Sequence, residues 1–220
     1  VHAVTIDVRA CIFALLALTA CDSNPPSQTP SKSIGGNSNT RVASEIASLD
    51  NDALIELFSR DASHESYSAF DAIAELQRRG ENAIEALLGH LEDDRESVTM
   101  FRVTRSSVGD VCFYTLSDMV APTPDDYTHS WGRTRVDGEN HERPHHLHRT
   151  VFNRDNVRAW FAERNEHSLV ELQIEGLEWW IDAESEIGFP TEDARRGILG
   201  PLKRELSRLK AQKQNNQAGA

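Results

Sequence analysis

Ala69-Phe70-Asp71-Ala72-Ile73-Ala74-Glu75-Leu76-Gln77-Arg78-Arg79-Gly80 is the stretch on which the fold class of this chain turns. Phe70, Ile73, Ala74 and Leu76 recur at helical spacing, so one face of the segment is apolar. Ser66 offers an N-cap ahead of it, and Gly80 supplies the glycine that commonly follows a last helical turn. The chain resumes at once: Glu81 to Leu91 places Ile84, Leu87, Leu88 and Leu91 at the same period, and Asp93-Asp94 breaks it. Two amphipathic helices separated by one glycine must lie side by side to hide their apolar stripes.

The pattern extends in both directions. Upstream, Asp50 can cap a helix over 51–60 with Ala53, Leu54, Leu57 and Phe58 on one side. Downstream, a helix from about Ser107 to Val120 ends before Pro122 and Pro124. Ala72, Ile73 and Leu76 fall against Cys112, Phe113 and Leu116 at a constant offset of about 40 residues, the period of paired-helix repeats. Ala69 to Leu76, Ala83-Ile84-Glu85-Ala86-Leu87-Leu88 and Leu91-Glu92-Asp93 together resemble a degenerate HEAT-like repeat. Ser107-Val108-Gly109-Asp110-Val111-Cys112-Phe113 resembles the opening of the next one. This resemblance spans residues 50–121 and extends to bacterial lipoproteins that carry such a domain. It implies an all-α fold: a short HEAT-like helical-repeat array with additional C-terminal helices.

The C-terminal third is helical without visible repetition. Asn153 can cap a helix over 154–163, with Val157, Trp160 and Phe161 inward. Ser168 caps a longer helix to Ile187, where Leu169, Val170, Ile174, Leu177, Trp180, Ile181 and Ile187 share an apolar arc. Leu172 and Trp179 fall at its rim. Glu171, Glu175, Glu178, Asp182 and Glu186 occupy the far face, where a solvated stripe is the ordinary expectation. Trp179 is the aromatic expected to stay partly exposed, and with Glu171, Glu175, Glu178 and Asp182 it forms the candidate partner-binding surface. Thr191 opens a last helix that Gly200-Pro201 kinks or restarts.

The N-terminus reads as an address. Ala10 to Leu18 is an apolar run of signal-peptide length, too short to span a bilayer stably. It runs into Leu18-Thr19-Ala20-Cys21, which resembles the lipobox of bacterial lipoproteins; the resemblance implies that Cys21 is acylated and heads the mature chain. The n-region fits less well, because Asp7 offsets Arg9, and Val1 in place of Met suggests an alternative or misplaced start. From Asp22 to Thr40 the chain is dominated by Pro, Gly, Ser and Asn, a composition that buries no apolar surface and spans about 25 Å as a coil. The expected organisation is a signal peptide over 1–20, lipidated Cys21 and tether over 21–40, helical repeats over 41–121, an irregular His-rich loop over 122–152, C-terminal helices over 153–212 and a disordered tail over 213–220.

A formal net charge of -12 argues against nucleic-acid binding, which needs a positive surface. Cys11 leaves with the signal and Cys21 carries lipid, so Cys112 is the remaining thiol, expected as a small buried hydrophobe among Val111, Phe113 and Leu116. His141, His145, His146 and His148 lie within eight residues and are the candidate metal ligands, by imidazole nitrogen, for a transition metal. Their spacing matches no zinc motif; His90, His129 and His167 stand alone. No nucleophile elbow, phosphate loop or dinucleotide fingerprint occurs. The expectation is a membrane-tethered, non-catalytic envelope lipoprotein that binds a protein partner, with no cofactor. The alternatives are a metal-binding or metal-dependent protein built on the four histidines, and a structural envelope lipoprotein.

Overall fold

A computed structural model describes residues 38–60, 68–97, 106–127, 133–136, 139–142 and 150–218. The protein is mostly helical: α1 (Ser38–Ser48), α2 (Asn51–Glu56), α3 (Ala69–Arg79), α4 (Glu81–Gly89), α5 (Val108–Val120), α6 (Val157–Ala162), α7 (Leu169–Ile187) and α8 (Glu192–Ala218). Strands β1 (Arg133–Val136) and β2 (Glu139–Glu142) pair antiparallel between α5 and α6, with Arg133 opposite Glu142 and Val136 opposite Glu139. The His-rich segment expected to be irregular therefore holds a short hairpin, and β1 approaches α8.

Local chemistry explains most helix starts. Ser68, Ser107 and Ser168 each accept from the backbone N–H three residues on, while Asp71, Asp110 and Glu171 accept in return from the serine N–H. These are reciprocal capping boxes, which satisfy two otherwise orphaned donors at each helix start. The cap of α3 is thus Ser68, two residues after the serine expected from sequence. Asp50 caps α2 by accepting from Ala53 N. Gly80, at φ 58°, closes α3 and opens α4 in one residue, a backbone state that favours glycine. Asn153 differs from expectation: its Oδ1 accepts from Asp155 N and Asn156 N, making a turn, and α6 begins only at Val157.

The principal core gathers Leu54, Ile55 and Phe58 of the α2 region, Ala72 and Leu76 of α3, Leu87 of α4 and about half of α5. Phe152 stands at the centre of an aromatic group, with its ring 5.9 Å from Phe113, 5.1 Å from Trp160 and 5.5 Å from Phe161. A second cluster, Ala121, Leu177, Trp180, Leu202 and Leu209, fills the space between α7 and α8. Leu172, placed at the rim of α7 by the helical wheel, is 2% exposed because it joins the principal core. One helix thus serves two cores. Helix α8 runs to Ala218 as one element with Pro201 inside it, so its last turns replace the disordered tail expected after Gln212. Lys213 reaches Glu171 at 2.8 Å and ties that extension to the start of α7.

Two crossings bring backbones together without side chains. Gly109 of α5 sits against the Leu91 carbonyl and donates its N–H to Asp93 O at 2.9 Å. Gly176 of α7 sits against the Val120 carbonyl at the end of α5. Arg154 also donates to Leu91 O and pairs with Asp110, closing the junction of α4, α5 and the α6 approach.

Buried charge sets the acid stability of this fold. Glu75 is 7% exposed and accepts from Arg78 and from Arg79 Nε at 2.9 Å. Hydrogen bonding from Arg78, then from Arg79, holds its carboxyl at about 2 against the opposing effect of burial. Asp93 is likewise held at about 2, chiefly by Arg95. A depressed carboxylate stabilises the fold above its unfolded value and loses that contribution as pH falls toward its folded value. Acid unfolding should therefore proceed between pH 4.5 and about 2, and Glu75→Gln should flatten that limb in circular-dichroism titrations.

Candidate functional site

Helix α7 carries the candidate partner surface, and its placement follows from its own sequence. The Ser168–Glu171 box fixes the start, Gly176 lets it lie directly on α5, and Gln173 Nε2 donates to Met119 O at 3.0 Å. Three of the five acidic residues, Glu171, Glu175 and Glu178, meet cations. Lys213 and Ser168 hold Glu171, whose carboxyl sits at about 2, mainly through the Lys213 bond. Arg164 forks onto Glu175 with Nε and Nη2 at 2.7–2.9 Å while its guanidinium lies 4.4 Å from the Trp160 ring centre. Lys210 pairs with Glu178 at 2.7 Å. Asp182 and Glu186 stay exposed.

Trp179 is half-buried and packs against the α7–α8 cluster, so it is part support and part surface. Glu184, which sequence reasoning did not single out, is 3% exposed on the same helix. It accepts from Tyr127 Oη at 3.1 Å and Trp180 Nε1 at 3.3 Å. Only its spacing of four from Trp180 hinted at this, because Tyr127 arrives from the segment after α5. Beside this group an open cleft of about 420 Å³ runs between Thr123–Asp126 and the Arg204–Arg208 stretch of α8. Arg204 pairs with Asp126 and Arg208 with Glu205, so most of the charge lining the cleft is paired.

Among the isolated histidines, His167 is exposed, and His129 lies outside the described residues. His90, at the end of α4, has neighbours that sequence spacing concealed. Its Nε2 lies 3.3 Å from Asp52 of α2, and its Nδ1 lies 3.5 Å from Asp93. Arg95 completes the cluster by bonding Asp93 and Glu56, which holds the Glu56 carboxyl below its ordinary value.

Cys112 is fully buried and burial pushes its thiol up to about 12, the behaviour of an inert packed group. His141 lies on β2 opposite Thr134, whereas His145, His146 and His148 fall outside the described residues, as does Cys21. Among the described residues no group of three or more His, Cys, Asp or Glu is arranged to hold a metal, and no helix is long and apolar enough to cross a membrane. No family model, curated protein or solved structure matches this chain.

Proposed function

We propose that this chain is a membrane-tethered, non-catalytic envelope lipoprotein whose HEAT-like helical body binds a protein partner. The observation that carries the reading is Leu18-Thr19-Ala20-Cys21, directly ahead of a Pro-, Ser- and Asn-rich segment that leads into a packed helical body. A lipid on Cys21 supplies the anchor, and the tether supplies reach. One saturated chain gives only marginal membrane binding, so stable attachment takes more than one acyl group.

Stacked helix pairs form extended faces suited to holding another protein. Two features support that reading here. Helices α3 and α5 both open on a Ser-x-x-Asp box, and each buries an apolar face behind it, Ala72 and Leu76 in α3 and Val111, Cys112 and Leu116 in α5, although Phe70 of α3 stays exposed. Matching Ser68 to Ser107 gives an offset one residue shorter than that between Ala72 and Cys112, so any repeat here is degenerate. The contact surface we assign is the outer side of α7 around Trp179 and Asp182, where the paired acids Glu171, Glu175 and Glu178 form the rim.

Cys21→Ala is expected to abolish incorporation of labelled fatty acid and to move the chain from the membrane to the soluble fraction. Persistence of Cys21→Ala at the membrane removes the anchoring half of the reading. Crosslinking in intact cells tests the other half: one dominant product should form and should weaken on Asp182→Lys. No reproducible product, or one indifferent to that exposed residue, removes the adaptor half.

A further inference from the structure

We infer that the second half of α7 receives an arginine-bearing, cationic segment of the protein partner, with a guanidinium laid against the Trp179 indole and held by Asp182 and Glu186. This rests on the adaptor reading and gives its partner a chemistry. At 3.6 residues per turn, Glu175, Trp179, Asp182 and Glu186 fall within about 60° of one another and form one line along the helix.

The cover over that line changes halfway. Gly176 meets the end of α5 and Glu175 meets Arg164, so the first half of α7 is packed beneath its neighbours. The helix then runs on to Ile187, about 16 Å past Gly176. In this second half Trp179 is half-buried, and Asp182 and Glu186 are exposed. Among the described residues neither carboxylate has an ion-pair partner. The cations nearest along the helix are already engaged, Arg164 by Glu175 and Lys210 by Glu178.

Two exposed acids by themselves make an ordinary solvated face. The indole beside them distinguishes this one, and the same helix holds the arrangement in completed form. One turn earlier, the Arg164 guanidinium lies 4.4 Å from the Trp160 ring centre while Nε and Nη2 fork onto Glu175. A planar guanidinium can stack on an indole and bond a carboxylate at the same time; a lysine ammonium has no plane to stack. Trp179 with Asp182 and Glu186 offers the same two groups to a cation from another chain. A net charge of -12 favours the approach of a cationic partner and repels an acidic one.

The test is a fluorescence-polarisation titration of the full chain, at near-physiological salt, with a labelled short peptide of alternating glycine and arginine. Asp182→Asn with Glu186→Gln should weaken binding about three- to tenfold, the scale of two exposed ion pairs. Trp179→Leu should weaken it about two- to fivefold while Trp179→Phe, which keeps a ring, retains most of it. The acidic double variant alters only exposed side chains and carries the test if Trp179→Leu does not fold. Glu92→Gln with Asp94→Asn makes the same change of charge on the exposed α4–α5 connection and should leave binding unchanged. A glycine–lysine peptide should bind more weakly. No binding of the arginine peptide, an equal loss in the Glu92 and Asp94 variant, or equal binding of the lysine peptide overturns the proposal. A cellular crosslink that Asp182→Lys weakens, in a chain that ignores the arginine peptide, leaves the adaptor reading standing and overturns this one.

Discussion

Gly176→Ala should destabilise the protein by on the order of 3 kcal/mol, although the same exchange in an open helix is favourable. A Cβ at Gly176 would lie 2.9 Å from Val120 Cγ1 and 3.0 Å from the Val120 carbonyl carbon, and inside the radius of its oxygen. The obstacle is backbone at the end of α5, so no side chain can swing aside. Relief requires α7 to move off α5, and Leu172 would leave the principal core with it. Against this stands a helix-propensity gain of about 1 kcal/mol, which is too small to win. Gly89→Ala is the matched control. Nothing lies within 4 Å of its Cβ position, and it ends α4 exposed, so it should be neutral or slightly stabilising. Opposite shifts in the urea midpoint of these two variants are the expected outcome. A Gly176→Ala variant as stable as wild type would mean that α7 is not seated on α5.

Arg79→Met is expected to cost a further large amount, about 3 kcal/mol, in the range for breaking one side of a buried ion pair. Arg79 is 15% exposed on its side chain and makes four hydrogen bonds at once. Its Nε holds Glu75, Nη1 donates to Asn51 Oδ1 at 2.9 Å, and Nη2 donates to Leu49 O at 2.6 Å and Ala47 O at 3.2 Å. Methionine fills much of the volume and satisfies none of these acceptors. Arg78 still reaches Glu75, which keeps the cost at the low end of that range. Adding Glu75→Gln should recover part of the loss, because the remaining buried group is then neutral. Thermal unfolding of the single and double variants measures both effects, and a full additive loss would show that the two residues are not coupled.

Much of the fold was legible because its signals are local. Asp50, Ser107, Ser168 and Gly80 occupy the caps their chemistry suggests, and α7 runs from Leu169 to Ile187 as its apolar arc required. One miss was local, and the others came from longer-range causes. Asp137-Gly138, a strong hairpin dipeptide between Arg133–Val136 and Glu139–Glu142, was overshadowed by the histidines that follow it. The tail after Gln212 carries no large apolar residue, and the contact it makes, Lys213 with Glu171, comes from a distant helix. Likewise the acidic face of α7 shows no periodicity that foretells Lys210, Lys213 and Arg164, since the cations come from elsewhere in the chain. The His90 cluster was hidden for the same reason: Asp52 is 38 positions away.

The grip of Arg79 on Ala47 and Leu49 has a mechanical side. A pull on the chain ahead of Ser38 enters the body through α1, whose buried anchor is Ile46 and whose last carbonyls are held from α3. Force therefore passes both into the principal core through Ile46 and into a guanidinium fork braced on Glu75. The weak element under tension is α1 itself, which can peel one turn at a time while the helices behind it stay packed. On the proposed reading, such a sacrificial first helix would add length to the tether under load and spare the assigned contact surface on α7.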